Sequence, residues 1–496
     1  VTELPINAHP QEIWVDGAWV VAGGRRLALV NPATETLLGH TLDADAAAVS
    51  RAVAAARRAH DSGVWRNQSL AERIEVLARL LDAIGEYSES FAAAQTAQMG
   101  VPIGVARLLV QGTARMFGAY VDGAAGIRYE YLRRDAVGQS LVAFEPVGVV
   151  AVVIPWNGPL SSLVSKAVPA LMMGCSVVLK PAPETPLEAG LFAELASAAG
   201  LPPGVFNVVT GGAATGRALV SDPRVDKVSF TGSTAAGQQV GEICGRSFTR
   251  MSLELGGKSA GIVLSDADID TTVPDLVNGN FFNTGQICVA LSRVLVPATQ
   301  ASDWIEALRD VGASRVVGDP LNPATHLGPL VTSRHRERVE SFVAEGRASG
   351  ARLVLGGGRP ADLPVGWYLE PTIFADVTND MAIARQEIFG PVMSVIAYAD
   401  ENDAVAIAND SEYGLHGAVF GSDPERALAV ARRLDTGSVG VNTANLTPGT
   451  PYGGVGRSGI GREHGREGLE SFLEAHSYVL PTALGHQLES AGLELD

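Results

Sequence analysis

A chain of 496 residues that is 46% hydrophobic exceeds what one core can hold, because single cores stop growing at about 250–300 residues, so two or more domains are expected. Its 54 acids against 37 bases give a formal charge of −17, which disfavours nucleic acid and anionic membrane surfaces as general partners. Three cysteines, Cys175, Cys244 and Cys288, make no disulfide scaffold and fit a reducing compartment, and no uncharged apolar run reaches the roughly 18 residues that span a bilayer.

The N-terminal residues show no basic segment followed by an apolar run, so no signal peptide is expected and the cytoplasm is the expected location. "IWVDGAWVVAGGRRLALVNPATETLLG" reads as short strands joined by Asp-Gly and Gly-Gly turns. From about Ala46 to Gln98 alanine and leucine recur at helical spacing, and residues 102–125 continue it. "IRYEYLRR" and "SLVAFEPVG" read as strands. A regular alternation follows: the apolar strand "GVVAVVIPWN", the helix "LVSKAVPALMMG", the strand "CSVVLKPAP", the helix "PLEAGLFAELASAAG", then the strands "GVFNVVTG" and "VDKVSFTGS". Val-rich strands alternating with helices predict a parallel sheet covered on both faces, where a dinucleotide would sit.

A second α/β region begins near Leu255, with strands in "SAGIVLS", "SRVLVP", "ARLVLGG" and "VMSVIAY". Residues 401–435 read as a helix, a glycine-containing break and another helix. "GSVGVN" is a strand entering a glycine-rich loop, "EAHSYVL" an edge strand, and the last residues a polar tail of no clear structure.

Several motifs bear on chemistry. "GVGRSG", Gly454 to Gly459, matches G-x-G-x-x-G but follows Pro451-Tyr452-Gly453 rather than a strand, so the context of a dinucleotide loop is missing. "VSFTGSTAAG" is better placed: a strand ends at Phe230, Thr231 and Gly232 turn the chain, and Ser233 caps the next helix, whose free N–H groups favour phosphate. Taken alone it also fits an ordinary capped helix. Lys180, at a strand end in "VVLKPAPETP", reads as a ribose ligand or a solvated lysine. Cys288, in "FFNTGQICVA", has no histidine near it in sequence and no metal-site spacing, so it reads as a core cysteine or a nucleophile. Glu254, flanked by apolar residues in "MSLELGGKSAG", suits a general base if buried. Asn157, in "VIPWNGPL", has an amide able to meet an oxyanion.

Together "PWN", "KPAPETP", "PPGVFNVV", "FTGS", "LELGGKS", "FFNTGQIC", "EIFGPV" and "PYGGVGRSGIGRE", in that order from Pro155 to Glu463, resemble the NAD(P)-dependent aldehyde dehydrogenases of the hydrolytic type. The resemblance implies an α/β fold with a Rossmann-like cofactor domain over 1–129 and 148–254 and a catalytic domain over 255–455. It also implies a small β oligomerisation element over 130–147 and 474–484, a return segment over 456–473 and a tail over 485–496. A homodimer or a homotetramer, as a dimer of dimers, would follow, with an open strand edge protected by pairing between subunits.

Carried over by position, Cys288 is the nucleophile, Glu254 the base that activates the deacylating water and Asn157 the oxyanion amide. Lys166 and Glu463 match a proton relay behind the base. Glu387 and Phe389 would place the nicotinamide ribose and ring, Lys180 the adenosine ribose and Ser233 the pyrophosphate. Ile154, Pro155, Trp156, Gly211, Phe230, Thr231, Gly232, Leu255 and Gly256 complete the implied cofactor site, and no metal is implied. The presence of Glu254 favours hydrolysis over acyl transfer to coenzyme A or phosphate, and the intact set argues against a non-catalytic structural protein. Pro183 stands where a glutamate often meets the ribose 2′-hydroxyl. Loss of that glutamate admits NADP, but no extra arginine or second lysine is seen to compensate, so NAD remains the expected cofactor. Gly158 and Ser165 are small where relatives carry aromatic residues, which widens the pocket. Phe282, Ile287, Val289 and Tyr452 are expected as its apolar wall. A medium or bulky hydrophobic aldehyde, aromatic or terpenoid, is the expected substrate, with a semialdehyde as the alternative.

Overall fold

The computed structural model describes residues 9–496. Residues 1–8, on which part of the signal-peptide expectation rests, lie outside the described residues. The first sheet has eight strands. Its parallel centre comprises Val149–Val153, Ser176–Lys180, Phe206–Val208, Lys227–Thr231 and Arg250–Glu254. Numbered along the chain, these five lie in the order 3-2-1-4-5, so the order reverses between the strand ending at Val153 and the strand ending at Thr231. Antiparallel strands flank them: the hairpin Glu12–Val15/Ala18–Val21 on one side and Gly459–Ile460 on the other.

The pleat explains why the central strands are so apolar. In Val149–Val153, Val150 and Val152 join one core while Val149, Ala151 and Val153 join the core on the opposite face. Fixing a backbone costs ~1–2 kcal/mol per residue, and burying a valine contributes ~1.5–3 kcal/mol, so such a strand persists only with both faces covered. Register then places the site. Val153 lies opposite Lys180 and Phe230, and Thr231 opposite Glu254. The carboxyl ends of four strands thus form one row at the switch point, where open α/β sheets bind ligands.

The second sheet has seven strands and two further cores. Its parallel part runs through Thr372–Ala375, Val392–Tyr398, Arg293–Pro297, Ala260–Val263, His416–Phe420 and Ser438–Val441. The strand His416–Phe420 is fully buried and lies where the sequence suggested only a break between helices. Its histidine and glycine mask a strand that burial on both sides sustains.

A separate antiparallel sheet joins Glu130–Arg134, Gln139–Pro146 and Leu473–Leu480. The last strand ends at Leu480 rather than near 484, because Pro481 lacks an N–H and a helix, Thr482–Ser490, follows. The tail is structured. Leu132 N–H donates to Glu494 O and Asp496 N–H to Leu132 O, both at 2.8 Å, and the Asp496 carboxylate pairs with Arg133 at 2.9 Å and Arg128 at 3.2 Å. It therefore covers the edge of Glu130–Arg134. Among the described residues no helix is long and apolar enough to cross a membrane.

Candidate active site

A cavity of about 510 Å³ opens between the two large sheets. Cys288, Glu254 and Asn157 all line it. Cys288 follows a turn in which Asn283, Thr284 and Gly285 have φ of 50°, 59° and 72°. Left-handed non-glycine residues cost about 1–3 kcal/mol each and persist only where surroundings over-determine them. Here they do. Asn283 Nδ2 donates to Asn157 O at 3.0 Å, Thr284 Oγ1 to Gly328 O at 3.2 Å, and Gln286 Nε2 to Asn283 O at 3.1 Å. Gln286 Oε1 accepts from Val331 N–H at 3.0 Å. At Gly285 a Cβ would lie 2.2 Å from the Gly390 carbonyl oxygen, so no side chain fits. Gln286 is a site-supporting residue that its plain polar character in sequence did not reveal.

Asn157 Nδ2 donates to Gln286 O at 2.9 Å, which fixes the amide and leaves its second N–H for a ligand. Burial pushes the Cys288 thiol up to about 11; Glu387 and Glu254 act in the same direction, and Tyr452, whose hydroxyl lies 3.2 Å from Sγ, opposes them. Glu254 ends its strand 3% exposed, and neither carboxyl oxygen has a partner among the described residues. Burial first, and then the Glu463 carboxylate, raise its proton affinity well above the ordinary carboxylate range, against Lys166 and Arg462. Glycine is required at 453, where a Cβ would lie 2.7 Å from Glu254 Oε1. Lys166 and Glu463 form a buried ion pair, with Ser229 Oγ 3.4 Å from the same Glu463 oxygen.

The "GVGRSG" stretch supports this site from outside. Ser458 Oγ donates to Gly256 O at 2.7 Å, and Leu255 N–H donates to Ser458 O at 3.0 Å, which ties the turn after Glu254 in place. Arg457 pairs with Glu412 at the surface, 2.8 Å away.

The other expected residues fall on two cavities. Pro155, Trp156, Gly158, Ser165, Gly232, Ser233, Leu255, Gly256, Glu387, Phe389, Tyr452 and Glu463 line the first. Glu387 accepts from Gly257 N–H at 3.0 Å and burial raises its carboxyl to about 7. The Phe389 ring meets Trp156 edge-on at 5.4 Å. Ser233 caps the helix Thr234–Ser247 by accepting from Ala236 N–H. A second cavity of about 240 Å³ is lined by Ile154, Lys180, Pro183 and Phe230, and Thr231 borders both. Lys180 Nζ donates to Pro181 O and Gly211 O at 2.8 Å, and burial lowers it to about 8. Gly211 holds this lysine from behind, while its neighbour Gly212 forms the wall.

Three expected wall residues are placed elsewhere. Phe282, Ile287 and Val289 do not line the first cavity, because the left-handed turn presents only Cys288 of that stretch to it. Met116 and Leu446 supply apolar wall instead, with His464 beside Tyr452. Met116 comes from the helix Ile103–Ala125, and nothing in its helical spacing marks it as a pocket residue. Arg217 also lines the second cavity, so an arginine is present near Pro183 after all.

The two cavities fit a dinucleotide in the chemistry of their donors. A lysine and a capped helix start suit ribose and phosphate, and Val153, Ile154, Phe230, Val240 and Ile243 offer apolar walls to a base.

Comparison with known proteins agrees with this geometry. The profile of the aldehyde dehydrogenase family matches residues 19–478. Geranial dehydrogenase of Castellaniella defragrans is 42% identical over 473 residues, 95% of this chain and 98% of that protein. A 3-succinoylsemialdehyde-pyridine dehydrogenase of Pseudomonas is 42% identical over 467 residues, 94% of this chain and 97% of that one. Among solved structures, a Mycobacterium tuberculosis aldehyde dehydrogenase complexed with NAD+ is 41% identical with a TM-score of 0.93, covering 95% of this chain and 98% of that one. A cysteine-to-alanine mutant of Pseudomonas syringae aldehyde dehydrogenase C, complexed with NAD+ and octanal, is 40% identical with a TM-score of 0.92, covering 96% and 98%. With a cysteine, a buried carboxyl and a fixed amide on one cavity, and relatives matched end to end, this chain belongs to the aldehyde dehydrogenase family.

Proposed function

We propose that the protein oxidises a medium or bulky hydrophobic aldehyde to its carboxylic acid with NAD, through a thioester on Cys288. The observation that carries this reading is the first cavity, where Cys288, Glu254 and the Asn157 amide line one space. Glu254 takes the thiol proton, and the Cys288 sulfur bonds to the carbonyl carbon. The free Asn157 N–H and the Cys288 backbone N–H stabilise the oxyanion that forms. Bound NAD, with Glu387 and Phe389 at its nicotinamide end and Lys180 at its adenosine ribose, would supply the hydride acceptor needed for the oxyanion to collapse to a thioester. Glu254 passes its first proton to the Glu463–Lys166 pair, then takes one from water, which attacks the thioester and breaks the C–S bond. Burial makes Glu254 a stronger base than a free carboxylate.

Small side chains at Gly158 and Ser165 with apolar Met116, Leu446, Trp156 and Phe389 support a hydrophobic substrate. Among the described residues Arg338 is the one arginine lining this cavity, and it is spent on the Ile388 and Glu387 carbonyl oxygens at 2.7 Å, which weakens the case for a charged semialdehyde. One relative named a geranial dehydrogenase, and another crystallised with octanal, point the same way. The semialdehyde relative keeps a pyridine-bearing semialdehyde as the second reading. NAD is preferred from the NAD+-bound relatives, and Pro183 with Arg217 admits NADP. Leu473–Leu480, the open edge of the three-stranded sheet, is the strand we assign to pairing between subunits.

The test is absorbance at 340 nm with octanal, geranial, benzaldehyde and succinic semialdehyde, with NAD or NADP, for wild type and Cys288→Ala. The reading expects the hydrophobic aldehydes to lead and the mutant to be silent. Turnover by Cys288→Ala, or a clear preference for succinic semialdehyde, contradicts it.

A further inference from the structure

We propose that Tyr452 is a catalytic residue: its phenolic O–H donates a hydrogen bond to the Cys288 sulfur and stabilises the thiolate both before attack and on release. This inference rests on Cys288 being the nucleophile. The hydroxyl lies 3.2 Å from Sγ, and both side chains line the same cavity. From sequence Tyr452 was expected only as apolar wall, a role a phenylalanine would fill equally well.

The position of the hydroxyl is tightly held. Tyr452 N–H donates to Glu463 O and Glu463 N–H to Tyr452 O, both at 2.7 Å. The ring stacks on His464 at 5.1 Å between centroids and 25° between planes. The next residue, Gly453, has φ of 151° and packs against Glu254. The phenol is therefore delivered to the sulfur by a closed backbone pair and a stacked ring, with little freedom to turn elsewhere.

The direction of donation follows from charge. A thiol can give or accept, but a thiolate only accepts. The groups facing the pair are Glu254 from its strand end, Glu387 from the segment before Phe389, and Glu463 and His464 from the segment after Tyr452. The carboxyls and burial oppose a phenolate, and Tyr452 is held well above its ordinary value. Burial also lowers the proton affinity of His464. Tyrosine is the side chain that donates to the sulfur, and such bonds to an ionised acceptor are about twice as strong as neutral ones.

No proton leaves tyrosine in this scheme. During attack the C–S bond forms, the carbonyl π pair moves to oxygen, and the hydrogen bond weakens as sulfur loses its charge. When water has attacked the thioester and the C–S bond breaks, the departing sulfur regains the charge and the bond with it.

The experiment is the pH profile of Cys288 alkylation by iodoacetamide, followed by mass on the Cys288 peptide in the full chain, for wild type, Tyr452→Phe and Tyr452→Leu. Cys175 and Cys244 are buried, so the peptide readout isolates the site. The midpoint should rise by about one unit in Tyr452→Phe, a tenfold smaller thiolate fraction below both midpoints, equivalent to about 1.4 kcal/mol. Tyr452→Leu, which also removes the ring, should show at least the same rise. kcat should fall with the midpoint shift, while KM for octanal changes less than twofold. An unchanged midpoint, or a loss confined to KM, would overturn the role. A Cys288→Ala protein that still reduces NAD would instead overturn the functional reading beneath it, so the two failures are distinguishable.

Discussion

Glu188 shows how a single buried side chain sets a pH dependence away from the site. It is fully buried, accepts from Gln98 Nε2 at 2.8 Å, and burial raises its carboxyl from 4.5 to about 7. The folded chain therefore holds this proton more tightly than the unfolded chain. The resulting stability is fully present below 4.5 and is lost as pH rises through about 7. Glu188→Gln should raise the free energy of unfolding measured in urea at pH 8.5 by an amount on the order of 1–3 kcal/mol, and change nothing at pH 4.5. Equal effects at both pH values would contradict the assignment. At this scale the sequence was most legible where a motif carried the residue: Cys288, Glu254, Asn157, Lys180 and Glu387 were each picked out by the short stretch around them. Gln286, Met116 and Leu446 were not, because their roles depend on what the folded chain brings beside them. Phe282, Ile287 and Val289 were read as wall because they neighbour Cys288 in sequence, and the left-handed turn separates sequence neighbours from spatial ones.

Among the elements, the turn before Cys288, the proposed nucleophile, carries the sharpest demand. Gly285 combines φ of 72° with a Cβ position 2.2 Å from a carbonyl oxygen, so Gly285→Ala must displace backbone. Aldehyde-dependent NAD reduction should fall at least 100-fold, since misplacing a reacting atom by about 1 Å costs that much, with a smaller loss of melting temperature. Near-wild-type turnover would show that the loop tolerates the shift. The tail makes a separate prediction. By covering Glu130–Arg134 it shields one edge of the three-stranded sheet. Removal of residues 491–496 should leave kcat within twofold and increase aggregation in light scattering, because an open edge templates further pairing. The alternation from Val149 to Glu254 gave the parallel sheet directly, since continuous Val-rich strands between helices have few other solutions. The strand His416–Phe420 and the tail were opaque for the opposite reason. One hides glycine and histidine in the interior, and the other is ordered through contacts with Leu132, Arg133 and Arg128 that lie far away in sequence.

Across the whole molecule, the two large sheets meet so that strand ends of the first and the cysteine loop leading into the second border one cavity. The chemistry proposed at Cys288 therefore draws on parts of the chain more than 100 residues apart, with Asn157, Glu254 and Tyr452 supplied by three different segments. The central claim is a covalent acyl intermediate on Cys288 that Glu254 clears. Rapid mixing of Glu254→Gln with NAD and octanal, followed by intact-mass analysis, tests it most directly. Because Glu254→Gln also removes the group that takes the thiol proton, the account predicts a slowed first turnover that stops near one equivalent of reduced cofactor per chain, with an octanoyl adduct accumulating on Cys288. Wild-type steady turnover with no adduct, or an adduct on another residue, would contradict it.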